Sequence, residues 1–218
     1  MKPREFKDLM FQQFANIASA FSSPKRLEII DILAQNEKDV ETLSSQISAS
    51  VANTSRHLQI LKNARLVESR REGVRIYYKL ADENVFNCWK GLQSLAENRV
   101  AEIKEVVKDF FGSRNAMDAI SIEDLWSRIQ SNDVIVLDVR PEDEFINGHI
   151  PGAISIPLSE LKERLNEIPH DQEVVAYCRG PYCVLSPEAI KILHNEGYDA
   201  TRLAEGLPEW KDAGFLVE

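Results

Sequence analysis

The sequence predicts two domains of different class, a mainly α domain over residues 1–112 and an α/β domain with a mostly parallel sheet over residues 113–218. Three observations support this division. The chain has 218 residues, which suits two domains of about 100 residues each. Near residue 112 the hydrophobic pattern changes from helical spacing to helices alternating with short apolar strands. The charge changes there as well, since residues 1–112 carry 17 basic against 15 acidic side chains and residues 113–218 carry 9 against 20.

The composition excludes several classes of protein. A hydrophobic content of 44% and a charged content of 28% are typical of a soluble globular protein. No apolar run approaches the roughly 20 residues of a membrane span, and the first residues lack the apolar core of a signal peptide. Three cysteines, an odd number, argue against a disulfide framework. We therefore expect a cytoplasmic protein with reduced thiols and no membrane partner.

Helical spacing of apolar residues and N-terminal signals predict five helices in the first domain. They are expected at residues 5–21, from Ser23-Pro24 onward, over Val40–Ile47, from the N-cap Ser50 to Asn63, and along one apolar stripe from Val85 to Phe110. Two extended runs, Leu66–Arg70 and Val74–Leu80, follow the fourth helix. The Arg71-Glu72-Gly73 segment between them predicts a hairpin.

The fourth helix and the hairpin carry a concentration of basic residues in a chain whose net charge is −9. Two helices joined by a short turn and followed by a basic hairpin describe a winged helix-turn-helix, whose second helix enters the major groove of DNA. The side chains expected to contact DNA are Val51, Asn53, Arg56 and His57 on the helix and Arg70, Arg71 and Arg75 in the hairpin. Charge alone is equally explained by a solvated surface, and His57 by packing or capping.

These residues resemble the ArsR family of bacterial repressors, and the likeness covers residues 5–111. It rests on Leu43–Ile47, on Thr54–Leu58 and, most closely, on the hairpin Arg70–Leu80. The resemblance implies a homodimer, built from the first and last helices, that binds a palindromic operator in double-stranded DNA. The apolar faces of these helices also favour a dimer, because so small a domain has little core in which to bury them.

One segment departs from the metal-sensing members of that family, which carry Cys-x-Cys on the helix before the recognition helix. The matching residues, Asp39–Leu43, include no cysteine, and no His, Cys and Asp pattern with zinc spacing occurs elsewhere. We therefore predict no metal and no other cofactor. Cys88, near the start of the last helix, is either a sensor of thiophilic species or a small buried hydrophobic residue.

The second domain follows a predicted linker at Gly112–Ala119. Its helices and strands alternate, which predicts a mostly parallel sheet. Helices are expected at Ser121–Gln130, Leu158–Leu165 and Ser186–Glu196, and strands at Val134–Asp138, Val174–Tyr177 and Thr201–Ala204.

Cys178 follows one of these strands, in a short loop that leads into a helix. Backbone N–H groups of such a loop, here residues 179–184, converge on an anion, and the helix N-terminus adds positive potential. Both effects lower the pKa of a thiol from about 8.5 toward neutral pH. We expect Cys178 to be a thiolate nucleophile, with Gly180 supplying backbone freedom and Arg179 holding an anionic sulfur donor.

The motifs around this cysteine are similar to those of the rhodanese sulfurtransferases over residues 115–218. They are Asp138-Val139-Arg140, Glu144-Phe145, Gly148–Ala153, Cys178-Arg179-Gly180 and Glu205–Trp210. The resemblance implies a rhodanese-like fold in which Cys178 takes sulfane sulfur from a donor such as thiosulfate or polysulfide, becomes a persulfide and passes the sulfur on. Asp138 and Arg140 end a strand at the edge where α/β folds bind ligands, although a mainly structural role is favoured for both.

Cys183 departs from the family pattern, in which a basic residue often ends the loop. A second thiol there either resolves a persulfide or sulfenate of Cys178 as a disulfide, or points into the core as an inert residue.

Three functions are open from sequence. The chain is a transcriptional regulator, a repressor by its resemblance, whose rhodanese domain forms a persulfide and senses or transfers sulfur. Alternatively, it is a thiosulfate or polysulfide sulfurtransferase whose DNA-binding half serves autoregulation or localisation. As a third reading, its rhodanese domain is catalytically silent and serves protein contacts. Cys178 counts against the third reading, and the intact recognition helix and hairpin favour the first.

Overall fold

The computed structural model describes residues 1–115 and 119–218. These residues form two compact units, Met1–Ala96 and Glu97–Glu218. The first unit is mainly helical with a three-stranded antiparallel sheet, and the second has a five-stranded sheet whose strand pairs are all parallel. Both predicted fold classes are confirmed. The predicted domain boundary at residue 112 stays a prediction, and residues 116–118 of the proposed linker lie outside the described residues.

The first unit contains the predicted helix-turn-helix and hairpin. Its elements are α1 (Pro3–Phe21), α2 (Pro24–Leu33), β1 (Lys38–Asp39), α3 (Val40–Gln46), α4 (Val51–Asn63), β2 (Val67–Glu72), β3 (Arg75–Leu80) and α5 (Glu83–Arg99), whose last turn lies beyond residue 96. The hairpin pairs β2 with β3 and turns at Gly73, which has a φ of +60°. The short β1 adds a third strand next to β3 and was not predicted, because two residues carry no periodic signal.

Polar caps fix the ends of the two helices in the helix-turn-helix. The Asp39 carboxylate accepts the N–H of Thr42 at 2.7 Å, and the Ser50 hydroxyl accepts the N–H of Asn53 at 3.3 Å. Ser48, in the turn between them, has a φ of +51° in the left-handed region. The helices pack through fully buried side chains, namely Leu43, Ile47, Leu58 and Leu61.

The long helix expected over residues 85–110 is two helices, α5 and α6 (Ala101–Asn115). The break falls at Val100, whose carbonyl accepts the N–H of Ile103 at 3.1 Å, as the residue before a new helix does. Residues 96–104 contain neither glycine nor proline. The apolar stripe continues through both helices, so periodicity alone could not reveal the break.

The second unit continues from α6 with β4 (Ala119–Ile120), α7 (Ile122–Gln130), β5 (Val134–Asp138), α8 (Glu142–Ile146), β6 (Ile154–Ser155), β7 (Glu173–Cys178), α9 (Leu185–Asn195), β8 (Ala200–Gly206) and α10 (Leu207–Asp212). The strand order is β4-β8-β7-β5-β6, which places β7 at the centre of the sheet. Among the described residues, no helix combines the length and apolar composition needed to cross a bilayer.

The helix predicted at Leu158–Leu165 is wrong. The segment consists of tight turns followed by a 3₁₀ helix at Leu165–Glu167. Most of its backbone bonds join a residue to the third before it, as from the N–H of Glu160 to the carbonyl of Pro157 at 2.8 Å, and one α-type bond runs from the N–H of Arg164 to the carbonyl of Glu160 at 3.1 Å. Apolar residues three apart lie on one side of a 3₁₀ turn as well as of an α-helix, so their spacing did not distinguish the two.

Two hydrophobic clusters of the second unit lie on opposite faces of its sheet. Successive side chains of a strand point to opposite faces. Cys178 therefore packs in the cluster that contains Leu193 of α9, whereas its neighbour Tyr177 packs in the cluster around Trp210 of α10. This alternation directs the sulfur toward α9 and the phenol toward the other side of the sheet.

Candidate functional sites

Cys178 is the last residue of β7, at the carboxyl end of the central strand, and is 1% exposed. Its sulfur lies 3.1 Å from the hydroxyl oxygen of Ser186, in the first turn of α9. The thiol of Cys183 also hydrogen-bonds to it, as do the backbone N–H groups of Gly180 and Ser186. One of the predicted loop donors, the N–H of Gly180, is among these contacts, whereas Ser186 lies beyond the predicted loop. The carbonyl oxygens of Gly180 and Cys183 also face the sulfur, at 3.9 and 3.8 Å.

These contacts set the ionisation of the two thiols. Burial alone raises the pKa of Cys178, but the hydrogen bonds from Cys183, Ser186 and Gly180 stabilise the thiolate and lower the pKa to about 6. The pKa of Cys183 is raised, first by its hydrogen bond to Cys178 and then by burial and the negative charge of Cys178. At neutral pH the pair therefore consists of a Cys178 thiolate and a Cys183 thiol.

Arg179 binds a carboxylate of the protein. Its guanidinium donates to Glu144 of α8 at 2.7 and 3.1 Å, and the Glu144 side chain is fully buried. This bidentate pair joins the loop after β7 to α8. The expectation that Arg179 holds a sulfur donor stays a prediction. Arg202 of β8 is a second cation close enough to interact electrostatically with Cys178. Burial lowers the pKa of Arg202, and the negative charge of Cys178 partly offsets this lowering.

Asp138 and Arg140 form a fully buried ion pair at the end of β5. The Arg140 guanidinium donates to Asp138 at 2.6 Å and to the carbonyl of Gly148 at 2.9 Å. The Tyr177 hydroxyl donates to the same carboxylate and accepts the N–H of Ile150 at 3.2 Å. The network connects β5, β7 and the loop after α8, which is a structural role for both sequence-predicted residues.

Gly206 lies beside the start of the loop that follows Cys178. A Cβ on Gly206 would lie 2.3 Å from the backbone carbonyl of Arg179 and 2.6 Å from the N–H nitrogen of Gly180. The backbone of Gly206 has φ −125°, which any residue adopts, so close approach is what requires glycine here. Gly180 itself has no positive φ, and the backbone freedom expected of it is not used.

The recognition helix α4 presents three of its four predicted DNA-binding side chains to solvent, namely Val51, Asn53 and Arg56. His57 is half-buried, and its Nδ1 has no hydrogen-bond partner among the described residues. Burial lowers the pKa of His57, as do the nearby charges of Arg26, Arg56 and Lys25. His57 is therefore neutral at pH 7, which favours packing over contact with phosphate.

Two of the three hairpin arginines are paired with carboxylates of the protein. Arg70 binds Glu37 and Glu72, and its guanidinium lies 4.6 Å from the centre of the Tyr77 ring. The guanidinium of Arg75 lies 3.4 Å from the Asp39 carboxylate. Arg71 is exposed and donates to the carbonyl of Gly73 at 3.0 Å. The β2–β3 hairpin, which is the wing of the winged helix-turn-helix, therefore presents Arg71 to solvent. The charges of Arg70 and Arg75 are partly neutralised by the carboxylates.

The third cysteine, Cys88 of α5, is exposed in the single chain. The alternative in which Cys88 is a small buried hydrophobic residue does not fit this exposure. In the described part of the chain, no three His, Cys, Asp or Glu side chains gather where they could hold a metal ion.

Sequence reasoning missed the roles of Ser186, Glu144, Tyr177, Arg202 and Gly206. Glu144 belongs to a motif that the sequence had singled out, but its partner was not evident. The sequence does contain a pattern that could have indicated Ser186. A small hydroxyl residue in the first turn of a helix that follows a nucleophile loop can face that loop.

Comparison with known proteins relates both units to families. Residues 23–69 match the family described as bacterial regulatory protein, arsR family, and residues 121–213 match the rhodanese-like domain. The chain is 40% identical to the HTH-type transcriptional regulator Rv0324 of Mycobacterium tuberculosis, over 97% of this chain and 93% of that protein. It is 33% identical to a sulfurtransferase of Allochromatium vinosum, over 46% of this chain and 94% of that protein.

Among solved structures, the chain is similar to the homodimeric winged helix-turn-helix DNA-binding domain Mb0332 from Mycobacterium bovis, described as a possible ArsR-family transcriptional regulator. The two are 35% identical, with a TM-score of 0.42, over 46% of this chain and 91% of that one.

We expect Gly206→Ala to destabilise the second unit by about 1–3 kcal/mol, because the added methyl group forces the backbone at Arg179 and Gly180 to move. Urea unfolding followed by tryptophan fluorescence measures the change. Gly180→Ala is the matched control, since its Cβ would lie 3.8 Å from Glu209, an ordinary contact distance. Equal losses of stability in both variants would contradict the close-approach explanation.

We expect Ser186→Ala to raise the pKa of Cys178 above its value of about 6, because the thiolate loses a hydroxyl donor. A hydrogen bond to a charged group is worth about 1.5–3 kcal/mol, so the titration midpoint should rise by about one pH unit or more. Ultraviolet absorbance of the thiolate against pH, with Cys178→Ser as the baseline, measures it. Ser44→Ala removes a buried serine of the first unit and should leave the midpoint unchanged; an unchanged midpoint in Ser186→Ala would exclude the donor role.

Proposed function

The chain belongs to the ArsR family of bacterial transcriptional regulators and carries a C-terminal rhodanese-like domain, and we propose that Cys178 accepts sulfane sulfur and that its loading controls operator binding. The observation that carries this proposal is the Cys178 thiolate, held by converging donors at the carboxyl end of a parallel sheet. A cysteine that served packing alone would not need these hydrogen-bond donors, because a neutral thiol is stable in an apolar cluster without them.

The proposed loading step is a thiol exchange. The Cys178 thiolate attacks the sulfane sulfur of thiosulfate or a polysulfide, and the donor's S–S bond breaks, so that sulfite or a shorter polysulfide leaves with the electron pair. The product, a persulfide, is an anion whose charge the backbone N–H groups of Gly180 and Ser186 can stabilise. Because Cys178 is 1% exposed, a donor reaches it only when residues 179–184 move aside.

Operator binding is supported by the first unit. Asn53 and Arg56 are exposed on the recognition helix, in position to reach base edges in a major groove. A homodimer is supported by large apolar side chains that the single chain leaves exposed on α1 and α5, among them Phe11 (62%), Phe14 (59%) and Leu95 (56%). A dimer that buries these faces places two recognition helices on one palindromic site.

A second candidate function is sulfur transfer as the main activity, with DNA binding in an autoregulatory or localising role. The likeness of the second unit to a protein named sulfurtransferase, over 94% of that protein, favours it. The two functions differ in one measurable respect, since only the regulator requires operator affinity to depend on the sulfur state of Cys178.

For the wing, we expect Arg71→Ala to weaken DNA binding to a similar degree on all sequences and to reduce the slope of log affinity against log salt by about 1, as loss of one phosphate contact does. Fluorescence anisotropy with operator and unrelated duplexes measures both. Arg164→Ala, which removes an arginine ion-paired with Glu160 and Glu167 in the second unit, is the control. An unaltered salt slope in Arg71→Ala would remove the wing from the interface.

For sulfur sensing, we expect polysulfide treatment to change operator affinity by about 5–150-fold, the range of ordinary coupling between two sites. Cys178→Ser should abolish both the sulfur adduct and this response, because it removes the accepting sulfur. Mass spectrometry and anisotropy on the same samples measure them, with Cys88→Ser as a parallel variant. Equal affinities before and after loading in the wild type would favour the sulfurtransferase; a response kept in Cys178→Ser but lost in Cys88→Ser would place the sensor in the first unit.

A further inference from the structure

Cys178 and Cys183 are in direct contact in the reduced protein. The loop between them turns back on itself, with the N–H of Cys183 donating to the carbonyl of Gly180 at 3.1 Å. This turn brings the backbone carbonyl of Cys183 within 3.8 Å of the Cys178 sulfur and places the two thiols in a hydrogen bond. Cys183 is half-buried against the same apolar cluster that contains Cys178. Its thiol therefore lies beside the nucleophile, at a partly buried position.

We propose that Cys183 discharges the Cys178 persulfide by forming a Cys178–Cys183 disulfide and releasing hydrosulfide, an inference that rests on the proposed sulfur loading. The Cys183 sulfur attacks the Sγ atom of the loaded Cys178, and a bond forms between the two cysteine sulfurs. The bond from Sγ to the sulfane sulfur breaks, and its electron pair leaves on the sulfane sulfur.

The step is balanced without an added reagent. The proton of the Cys183 thiol ends on the departing sulfur, which leaves as hydrosulfide. The two cysteines lose two electrons in becoming a disulfide, and the sulfane sulfur gains them. The discharged state is a disulfide, which an added dithiol returns to the starting thiols by exchange.

The contacts also order the reaction. Before loading, the Cys178 thiolate holds the Cys183 proton in place, since the hydrogen bond to Cys178 is the largest cause of the raised pKa of Cys183. After loading, the negative charge moves outward to the terminal sulfur, so this restraint on the Cys183 proton weakens. Cys183 is thus unreactive beside an empty Cys178 and becomes a nucleophile beside a loaded one, which prevents the pair from competing for the donor.

The test uses the full-length chain with Cys88→Ser, which leaves the two loop cysteines as its only thiols. The reduced protein is treated anaerobically with polysulfide, freed of excess reagent, and followed by non-reducing mass spectrometry and by hydrosulfide release. We expect an adduct of one sulfur, about 32 Da, that converts to a species two hydrogens lighter than the reduced protein, with one hydrosulfide per chain.

Cys183→Ser and Cys183→Ala should prolong the life of the adduct by about tenfold or more and release no hydrosulfide. Formation of the one-sulfur adduct in both variants checks that the loop stays folded, and Cys183→Ser keeps a hydroxyl donor beside Cys178.

The outcomes separate this inference from the function on which it rests. A lasting adduct in the Cys88→Ser parent, with no hydrosulfide, overturns the resolving role of Cys183 and leaves sulfur loading intact. A disulfide that forms without hydrosulfide also overturns it, because the sulfane sulfur was then not the oxidant. If neither the parent nor the Cys183 variants ever carry the adduct or release hydrosulfide, sulfur loading at Cys178 fails and the inference fails with it.

Discussion

A negative charge on the buried sulfur of Cys178 is the constraint on which the second unit depends. A buried charge is costly unless hydrogen bonds replace the water it has lost. The Ser186 hydroxyl, the thiol of Cys183 and the N–H groups of Gly180 and Ser186 supply those bonds. These donors lie on the loop after β7 and on the first turn of α9. Strand, loop and helix must therefore keep their relative positions to within hydrogen-bond distance for the thiolate to exist.

Contacts between segments remote in sequence keep those positions. The Asp138–Arg140 pair and the Tyr177 hydroxyl join the ends of β5 and β7, and Arg179 joins the loop to Glu144. Buried ion pairs contribute little net stability, since desolvation offsets their attraction, but losing one partner costs about 3–5 kcal/mol. Such pairs fix the relative positions of the segments that they join and add little to the stability of the fold. The motif residues outside the cysteine loop are thus explained by positioning, with no direct contact to the reacting sulfur required.

Local patterns predicted the class of each unit, the central strand and the recognition helix, because β7 is a short continuous apolar run and α4 buries one face at helical spacing. The role of Cys178 as nucleophile stays a prediction. Such patterns did not reveal partners that are distant in sequence. The carboxylate that binds Arg179 stands 35 residues away, and the role of Arg179 toward a sulfur donor stays a prediction. They also failed over residues 158–165, where one spacing fits two kinds of helix. Ser186 was missed because its role appears only when the turn of the loop is known.

The electrostatics of the wing suit a switch of modest size. In the free chain, carboxylates of the protein pair with two wing arginines, Arg70 with Glu37 and Glu72, and Arg75 with Asp39. DNA phosphates must displace these carboxylates before the phosphates can bind the two guanidinium groups at full strength. In the proposed homodimer, affinity for DNA would then depend on the remaining cations and on the pairing of two subunits, in a protein whose net charge of −9 opposes binding overall. In the proposed switch, the sulfur atom added to Cys178 would have to change the free energy of operator binding by about 1–3 kcal/mol, which corresponds to about a 5–150-fold change in affinity.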